Sequence, residues 1–416
     1  MRRLIVNLTV SRLPARSLAG FALGALLALA PAQAEEATSN LRRGVGVAHA
    51  MAWAAVEPGP SRSFVFPPFA DSARNLGAEL KVLRRDGFDF VRLAVDPGPF
   101  LQYQGSRRDR LDDILMDRVK LILSSGLSVV VDFHPSDLHP DYLAEALTRG
   151  VDTPLFQSYV RMLVSTAGLL EQLQSRNVAL EIMNEPPVTP ARWQPMLEAA
   201  YKAVRERAPH LTLVLDGGGE GGIDGLLALG AFAKDPAALL SFHYYDPYQF
   251  THQGAPWVDA RYLADVPYPA SARPLQQSLD ASAAMISASD LSPSEKSRAK
   301  VDARQRLEDY RRSAFDRGTI AQSFDRVAQW AKDHGVALSR IILGELGVRG
   351  QGEHIGGARS ADRARWIRDV REEAEAHDFI WAAWVYRGSG GFALVRDEAS
   401  AELDPAMTQA LGLSRQ

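Results

Sequence analysis

Short apolar runs alternate along the chain with longer segments in which apolar residues recur every three or four positions. Runs at 44–47, 90–93, 128–132, 179–183, 211–215, 240–243, 340–343 and 379–384 read as strands, and helical spacing marks 73–85, 111–123, 157–173, 193–207, 324–332 and 363–376. The strands are apolar nearly throughout rather than at every second position, which is the signature of strands covered on both faces. Eight such strands alternating with helices predict an α/β fold, a closed (β/α)8 TIM barrel in preference to an open doubly wound sheet.

One interval breaks the rhythm: the sixth and seventh strands stand roughly a hundred residues apart. An insertion over about 258–313 is predicted there, lying over the barrel mouth. Ser292-Pro293-Ser294-Glu295 has the form of a capped helix start, with a charged helix running on to about 313. The stretch 262–284, with its three prolines, reads as irregular. No linker or repeat marks off a second domain, so 35–416 is expected to form one catalytic domain.

The first 34 residues have another character. Arg2, Arg3, Arg12 and Arg16 precede an apolar stretch over 18–30, and Ala32-Gln33-Ala34 follows. That is the layout of a secretory signal cleaved after Ala34, and its apolar part falls short of the roughly 20 residues of a bilayer helix. A secreted or periplasmic protein with no membrane span after cleavage is expected. Without this segment the chain keeps 43 basic against 50 acidic side chains, a formal charge of −7, which disfavours nucleic acid as a partner. With no cysteine, stability must come from packing, and a monomer is expected.

In a parallel barrel the carboxyl ends of the strands face the active site. Polar residues stand at those ends: Arg92 closing the second strand, His134 after the third, Asn184 and Glu185 after the fourth, His243 and Tyr245 after the sixth, Glu345 after the seventh and Trp384 at the end of the eighth. Two carboxylates on separate strands, with such partners, are the equipment for cleaving a glycosidic bond. One acid protonates the leaving sugar and the other attacks or stabilises the anomeric carbon.

Asn-Glu-Pro after the fourth strand, Gly344-Glu345 after the seventh, His243-x-Tyr245, Arg92, His134 and Trp384, in that arrangement, resemble glycoside hydrolase family 5, the cellulase family of retaining enzymes. The resemblance implies Glu345 as nucleophile and Glu185 as general acid/base. It implies support of Glu345 by Tyr245 and Arg92, orientation of the acid/base side by His243, sugar contacts from His134 and Asn184, and a platform from Trp384. Retention of configuration would need carboxyl groups about 5–5.5 Å apart. Leu346 departs from the pattern, since an aromatic residue is common after the nucleophile.

Sugars present apolar faces, and the aromatic stretch 243–257 supplies Tyr244, Tyr248, Phe250 and Trp257, with Trp53, Tyr103 and Tyr386 on other mouth loops. Trp257 reads as a platform or as ordinary core. No His-x-His or His-Glu-x-x-His occurs, so neither a catalytic metal nor a cofactor is expected. Asp-Gly-Gly-Gly-Glu-Gly-Gly at 216–222 imitates a dinucleotide loop but follows the fifth strand, and reads as a flexible rim loop. The expected substrate is a polysaccharide or oligosaccharide, with endo-β-1,4-glucanase action foremost. Mannan, xyloglucan, β-1,3-glucan or a bacterial exopolysaccharide would suit the same core, as would transfer to an acceptor sugar. A non-catalytic glycan-binding protein is the reading from a different class.

Overall fold

Eight parallel strands close on themselves in the computed structural model of the chain. They are β1 (Arg43–Val47), β2 (Phe90–Val95), β3 (Ser128–Phe133), β4 (Val178–Glu181), β5 (Thr212–Asp216), β6 (Ala238–Tyr244), β7 (Ile341–Leu346) and β8 (Ile380–Ala383). Each strand pairs with the next, and β8 returns to β1. The structure describes residues 41–59, 62–69, 74–351, 356–388, 390–397 and 399–414. The expected signal segment lies outside these residues. No helix among the described residues is long and apolar enough to cross a membrane.

The outer layer is formed by α1 (Leu76–Asp86), α2 (Ser106–Ser124), α3 (Pro154–Glu171), α4 (Pro190–Arg207), α5 (Leu275–Ala288), α6 (Pro293–Ser313), α7 (Arg317–Asp333) and α8 (Ser360–Ala376). Except for α5 and α6, which pack on each other, their apolar stripes cover the outward-facing strand residues in one continuous core. Proline supplies the first turn of α3, α4 and α6, where its missing N–H costs nothing.

Inside the barrel a second apolar cluster joins Phe90, Val130, Ala179, Val214, Leu239, Ile342 and Ile380, essentially one residue from each strand. Successive side chains of a strand alternate in direction, so the next inward positions lie two residues further on. Those positions are Arg92, Asp132, Glu181, Asp216 and Ser241, all buried. The barrel interior thus changes from an apolar floor to a polar layer as it rises towards the carboxyl ends of the strands. β1 contributes no bulk to the interior. A Cβ at Gly44 would collide with the Phe90 ring, and one at Gly46 would come within 2.8 Å of Trp384.

The pairing of β6 with β7 contains a slip: Phe242 opposes Leu343, but His243 opposes Glu345. Gly344 is the extra residue, a bulge that brings the His243 and Glu345 positions opposite one another. A Cβ there would sit 2.7 Å from His243 Nε2, so the residue before Glu345 has to be small.

The insertion contains two helices packed on each other, α5 and α6, rather than one. The Ser292 capping box forms as the sequence predicts, with Ser292 N–H donating to Glu295 Oε2 at 2.8 Å. The stretch 262–284 departs from expectation. All three of its prolines precede Leu275, and the Ala- and Ser-rich remainder is free to form α5. The insertion is tied to α8 by Tyr268 donating to Asp369 at 2.9 Å and by the Arg273–Asp362 ion pair.

The glycine-rich segment after β5 is packed, not loose. Gly219 N–H donates to Val188 O at 2.7 Å, and Glu220 N–H to Pro186 O at 3.1 Å, so this loop is clamped to the turn that follows β4. Gly217 and Gly225 touch backbone to backbone: a Cβ on Gly217 would lie 2.0 Å from the Gly225 carbonyl carbon. Gly217→Ala is therefore expected to lower stability by about 1–3 kcal/mol or more through overpacking. Gly77→Ala in α1, where the added carbon meets only Leu121 at 3.8 Å, should leave stability unchanged or slightly raised. Urea unfolding of the two variants beside the wild type reads this difference, and equal midpoints would refute the close approach.

Candidate active site

Arg92 is the hub of the polar layer. Its guanidinium forms a two-pronged contact with Glu181, Nε to Oε2 at 2.8 Å and Nη2 to Oε1 at 2.6 Å. Nη2 also donates to Asn184 Oδ1 at 2.7 Å and lies 3.1 Å from Asp132 Oδ2, while Nη1 donates to Glu345 Oε1 at 2.6 Å. Burial works against the charge on Arg92, but Asp132, Glu181 and Glu345 hold its pKa well above the usual value. Burial likewise opposes ionisation of Asp132, and Arg92 and His134 overcome it, leaving that carboxyl below the ordinary range. Burial pushes Glu181 strongly upward, with Asp132 and Asp216 adding to it against the pull of Arg92.

Glu345 receives one donor on each oxygen: Arg92 on Oε1, and the Tyr245 hydroxyl on Oε2 at 2.5 Å. Burial and the charge on Glu345 raise the Tyr245 pKa far above normal, so the phenol keeps its proton and remains a donor. Glu185 sits differently. Its side chain is 32% exposed against 5% for Glu345, and its backbone adopts a left-handed φ of +44°. For a residue with a Cβ that conformation costs on the order of 1 kcal/mol. Its N–H donates to Asp216 Oδ2 at 3.2 Å, and the loop after β5 holds the following residues.

His243 stands between the two glutamates, Nδ1 lying 2.8 Å from Glu185 Oε1 and 3.9 Å from Glu345 Oε2. One carboxylate oxygen from each glutamate lies within 4.8 Å of the other. On the third side His134 holds Asp132 through Nδ1 at 2.9 Å, contacts the Asn184 amide at 3.5 Å, and stacks on Trp384 with centroids 5.1 Å apart and planes 3° apart. Burial lowers the His134 pKa, but Asp132 raises it further, and the net shift is upward.

Arg92, His134, Asn184, Glu185, His243, Tyr245, Glu345 and Trp384 therefore converge at the carboxyl ends of the strands. Trp257 lies outside this bonded cluster among the described residues. Its indole is 56% exposed and covers Gly390, where a Cβ would come within 2.2 Å of the ring. Of the other aromatic candidates, Trp53 and Tyr248 are exposed, whereas Tyr103, Tyr244, Phe250 and Tyr386 are buried. Tyr244 takes the outward register of β6, between His243 and Tyr245, and packs on Phe324 and Trp366; Tyr386 donates to Ala401 O at 2.6 Å.

Three members of the layer, Asp132, Glu181 and Asp216, are not singled out from the sequence alone, although Glu181 and Asp216 are the last residues of β4 and β5. The signal for them lies within the strands: Asp132 and Ser241 are two residues before His134 and His243, on the same face, and an acid inside an apolar strand has to be paired. Glu181, Asp216 and His243 are close enough together to hold a cation, as are Glu185, His243 and Glu345. In the first set Arg92 already bonds both Glu181 oxygens, and a metal ion there would have to displace the guanidinium.

A family model described as "Cellulase (glycosyl hydrolase family 5)" matches residues 63–387. Endoglucanase 3 of Fibrobacter succinogenes is 23% identical over 363 residues, 81% of this chain and 49% of that one. Cellodextrinase A of Ruminococcus flavefaciens is 26% identical over 187 residues, 43% of this chain and 54% of that one. The chain thus spans about half the length of these curated relatives. Among solved structures, endoglucanase Cel5A from the hyperthermophilic Thermotoga maritima superposes with a TM-score of 0.63 at 20% identity, covering 91% of this chain and 99% of that one. The cellulose synthase subunit Z of Clostridioides difficile gives 0.62 at 21%, covering 89% and 99%. These two likenesses establish the shared fold.

Burial disfavours charge on His243, yet Glu345, Asp216 and Glu185 together raise its pKa from 6.5 to about 10. The folded protein binds this proton more tightly than the unfolded chain, so the stability it adds is complete below pH 6.5 and is lost as pH rises towards 10. Denaturant unfolding between those pH values is expected to show the wild-type advantage over His243→Asn shrinking steadily as pH increases. A gap that stays constant across the range would contradict the assignment of charge to this ring.

Proposed function

The chain belongs to glycosyl hydrolase family 5, and on that premise we propose that it hydrolyses β-glycosidic bonds with retention of configuration, Glu345 acting as nucleophile and Glu185 as general acid/base. The observation that carries this reading is the approach of the two carboxylates: one oxygen of each within 4.8 Å, Glu345 standing on β7 and Glu185 in the turn after β4. Retaining pairs stand about 5–5.5 Å apart, whereas inverting pairs need about 6.5–9.5 Å to admit a water between them.

In the first step Glu345 attacks the anomeric carbon while Glu185 passes its proton to the departing glycosidic oxygen, and a glycosyl ester forms on Glu345. In the second step Glu185, now a carboxylate, takes a proton from water, the water oxygen attacks the same carbon, and Glu345 is released. The two donors on Glu345 hold its carboxyl group in place for attack. The exposed position of Glu185 suits a group that has to meet first a sugar oxygen and then a water. Trp384, stacked on His134, offers a flat face beside the reacting ring, and the Asn184 amide offers a polar edge.

The substrate we assign is a β-1,4-glucan cut within the chain. The endoglucanase and cellodextrinase relatives support the glucan, and the exposed rings of Trp53, Tyr248 and Trp257 support a cleft that holds several sugars. Mannan is the second substrate we would test, because Cel5A of T. maritima has been solved with mannotriose as well as with cellobiose. Loops and the insertion, rather than the two glutamates, would set that choice.

The test is digestion of soluble β-1,4-glucan followed by proton NMR. New reducing ends should appear first in the β configuration, and product lengths should show internal cleavage. Glu185→Ala should lose about 10²–10⁴-fold in turnover of the glucan and Glu345→Ala at least as much, with circular dichroism unchanged. Near-normal turnover by either variant, or α ends appearing first, would overturn the proposal.

A further inference from the structure

Asp216 faces the two ends of one residue. Its Oδ2 accepts the Glu185 backbone N–H at 3.2 Å, and the same oxygen lies 3.7 Å from Nε2 of His243, the ring whose Nδ1 is 2.8 Å from Glu185 Oε1. Asp216 is 1% exposed, and its carboxylate differs from its neighbours in the layer. Both Glu181 oxygens meet Arg92, and Asp132 Oδ2 is shared between Arg92 and His134, whereas Asp216 turns towards His243 and Glu185. Asp216 pairs in register with Ser241 on β6, and Ser241 Oγ and His243 Nε2 both lie against Gly344. A bulge-forming glycine therefore leaves the ring room to stand between Asp216 and Glu185.

We propose that Asp216 is a positioning residue for the acid/base step, holding the Glu185 turn by its backbone and orienting the His243 ring that holds the Glu185 carboxyl. This rests on the reading of Glu185 as acid/base. With the Asp216 carboxylate facing Nε2 and the Glu185 carboxyl at Nδ1, the ring is favoured as the imidazolium, which presents Nε2–H towards Asp216 and Nδ1–H to Glu185. Glu185 Oε1 is then engaged as an acceptor, which leaves the acidic proton on Oε2, the oxygen free to meet the leaving group. As the glycosidic bond breaks, that proton goes to the departing oxygen, the bond from Glu345 to the anomeric carbon forms, and the new Glu185 carboxylate is stabilised by the Nδ1–H already in place. The upward shift of the His243 pKa agrees with a ring that carries both protons. The left-handed backbone of Glu185 gives the N–H bond to Asp216 its purpose, since a strained turn persists only when its surroundings hold it.

The experiment compares kcat/KM on two aryl β-cellobiosides, one with a phenyl leaving group that needs a proton and one with a 2,4-dinitrophenyl group that departs without it. Wild type, Asp216→Asn and Glu185→Ala are measured together. Asn keeps an acceptor for the Glu185 N–H and nearly the same shape, so folding is preserved while the negative charge facing His243 is removed. For Asp216→Asn the loss on the phenyl substrate should exceed the loss on the dinitrophenyl substrate by about tenfold or more, a part of the about 10²–10⁴ that general acid catalysis supplies. Glu185→Ala should show the same split in a larger degree. Equal losses on both substrates for Asp216→Asn, or no loss on either, with the split retained in Glu185→Ala, would overturn the role of Asp216 alone. Equal losses in Glu185→Ala would overturn the acid/base reading beneath it, and this role with it.

Discussion

A single guanidinium, fully enclosed by the barrel, makes the open end of this fold possible. Removing an ion from water costs several kcal/mol even after relaxation, and a layer holding Asp132, Glu181 and Glu345 would be prohibitive without a counter-charge. Arg92 meets all three and the Asn184 amide besides. A planar fork with five donors can do this, whereas the point charge of a lysine cannot serve so many partners at fixed angles. Removing one member of such a set leaves the others buried and unpaired, which is worth about 3–5 kcal/mol of destabilisation. The same contacts that make the layer tolerable therefore align Glu345, so the stability of the layer and the role we propose for Glu345 share one set of bonds.

The second glutamate is held by a different principle. Glu345 is enclosed and bonded on both oxygens, while Glu185 is half open, bent into a left-handed turn, and gripped through its backbone and through His243. Two carboxylic acids of one type acquire distinct environments because one belongs to a strand and the other to the turn beyond a strand. The fold supplies this asymmetry with a bulge at Gly344 and with a glycine-rich loop that presses on the turn after β4. Acid and nucleophile roles need environments that differ in this way.

Much of this arrangement is legible in the residue order. Strands buried on both faces read as unbroken apolar runs, and all eight appear near their predicted places, with the long gap after β6 holding extra helices. Most of the proposed site residues are visible because they stand where an apolar run stops at a polar side chain; Arg92 is the exception, lying inside β2 with apolar residues on both sides. Asp132, Glu181 and Asp216 are harder to see because they belong to the strands themselves, although the period of two already places them inside. Helix α5 is masked by prolines that in the fold precede it. The loop at 216–222 misleads for a subtler reason: glycine signals freedom when counted locally, but here it permits two backbones to touch, a contact that is invisible until the fold brings residues 217 and 225 together.

The claim on which this account turns is that Glu345 becomes covalently joined to the sugar. Incubation with a 2-deoxy-2-fluoro β-cellobioside carrying a good leaving group, followed by mass spectrometry of the intact protein and its peptides, tests it directly. The account predicts one added fluorocellobiosyl group on the peptide that contains Glu345. Labelling at Glu185 or another carboxylate, or steady turnover of unlabelled enzyme with inversion of the anomeric centre, would contradict it.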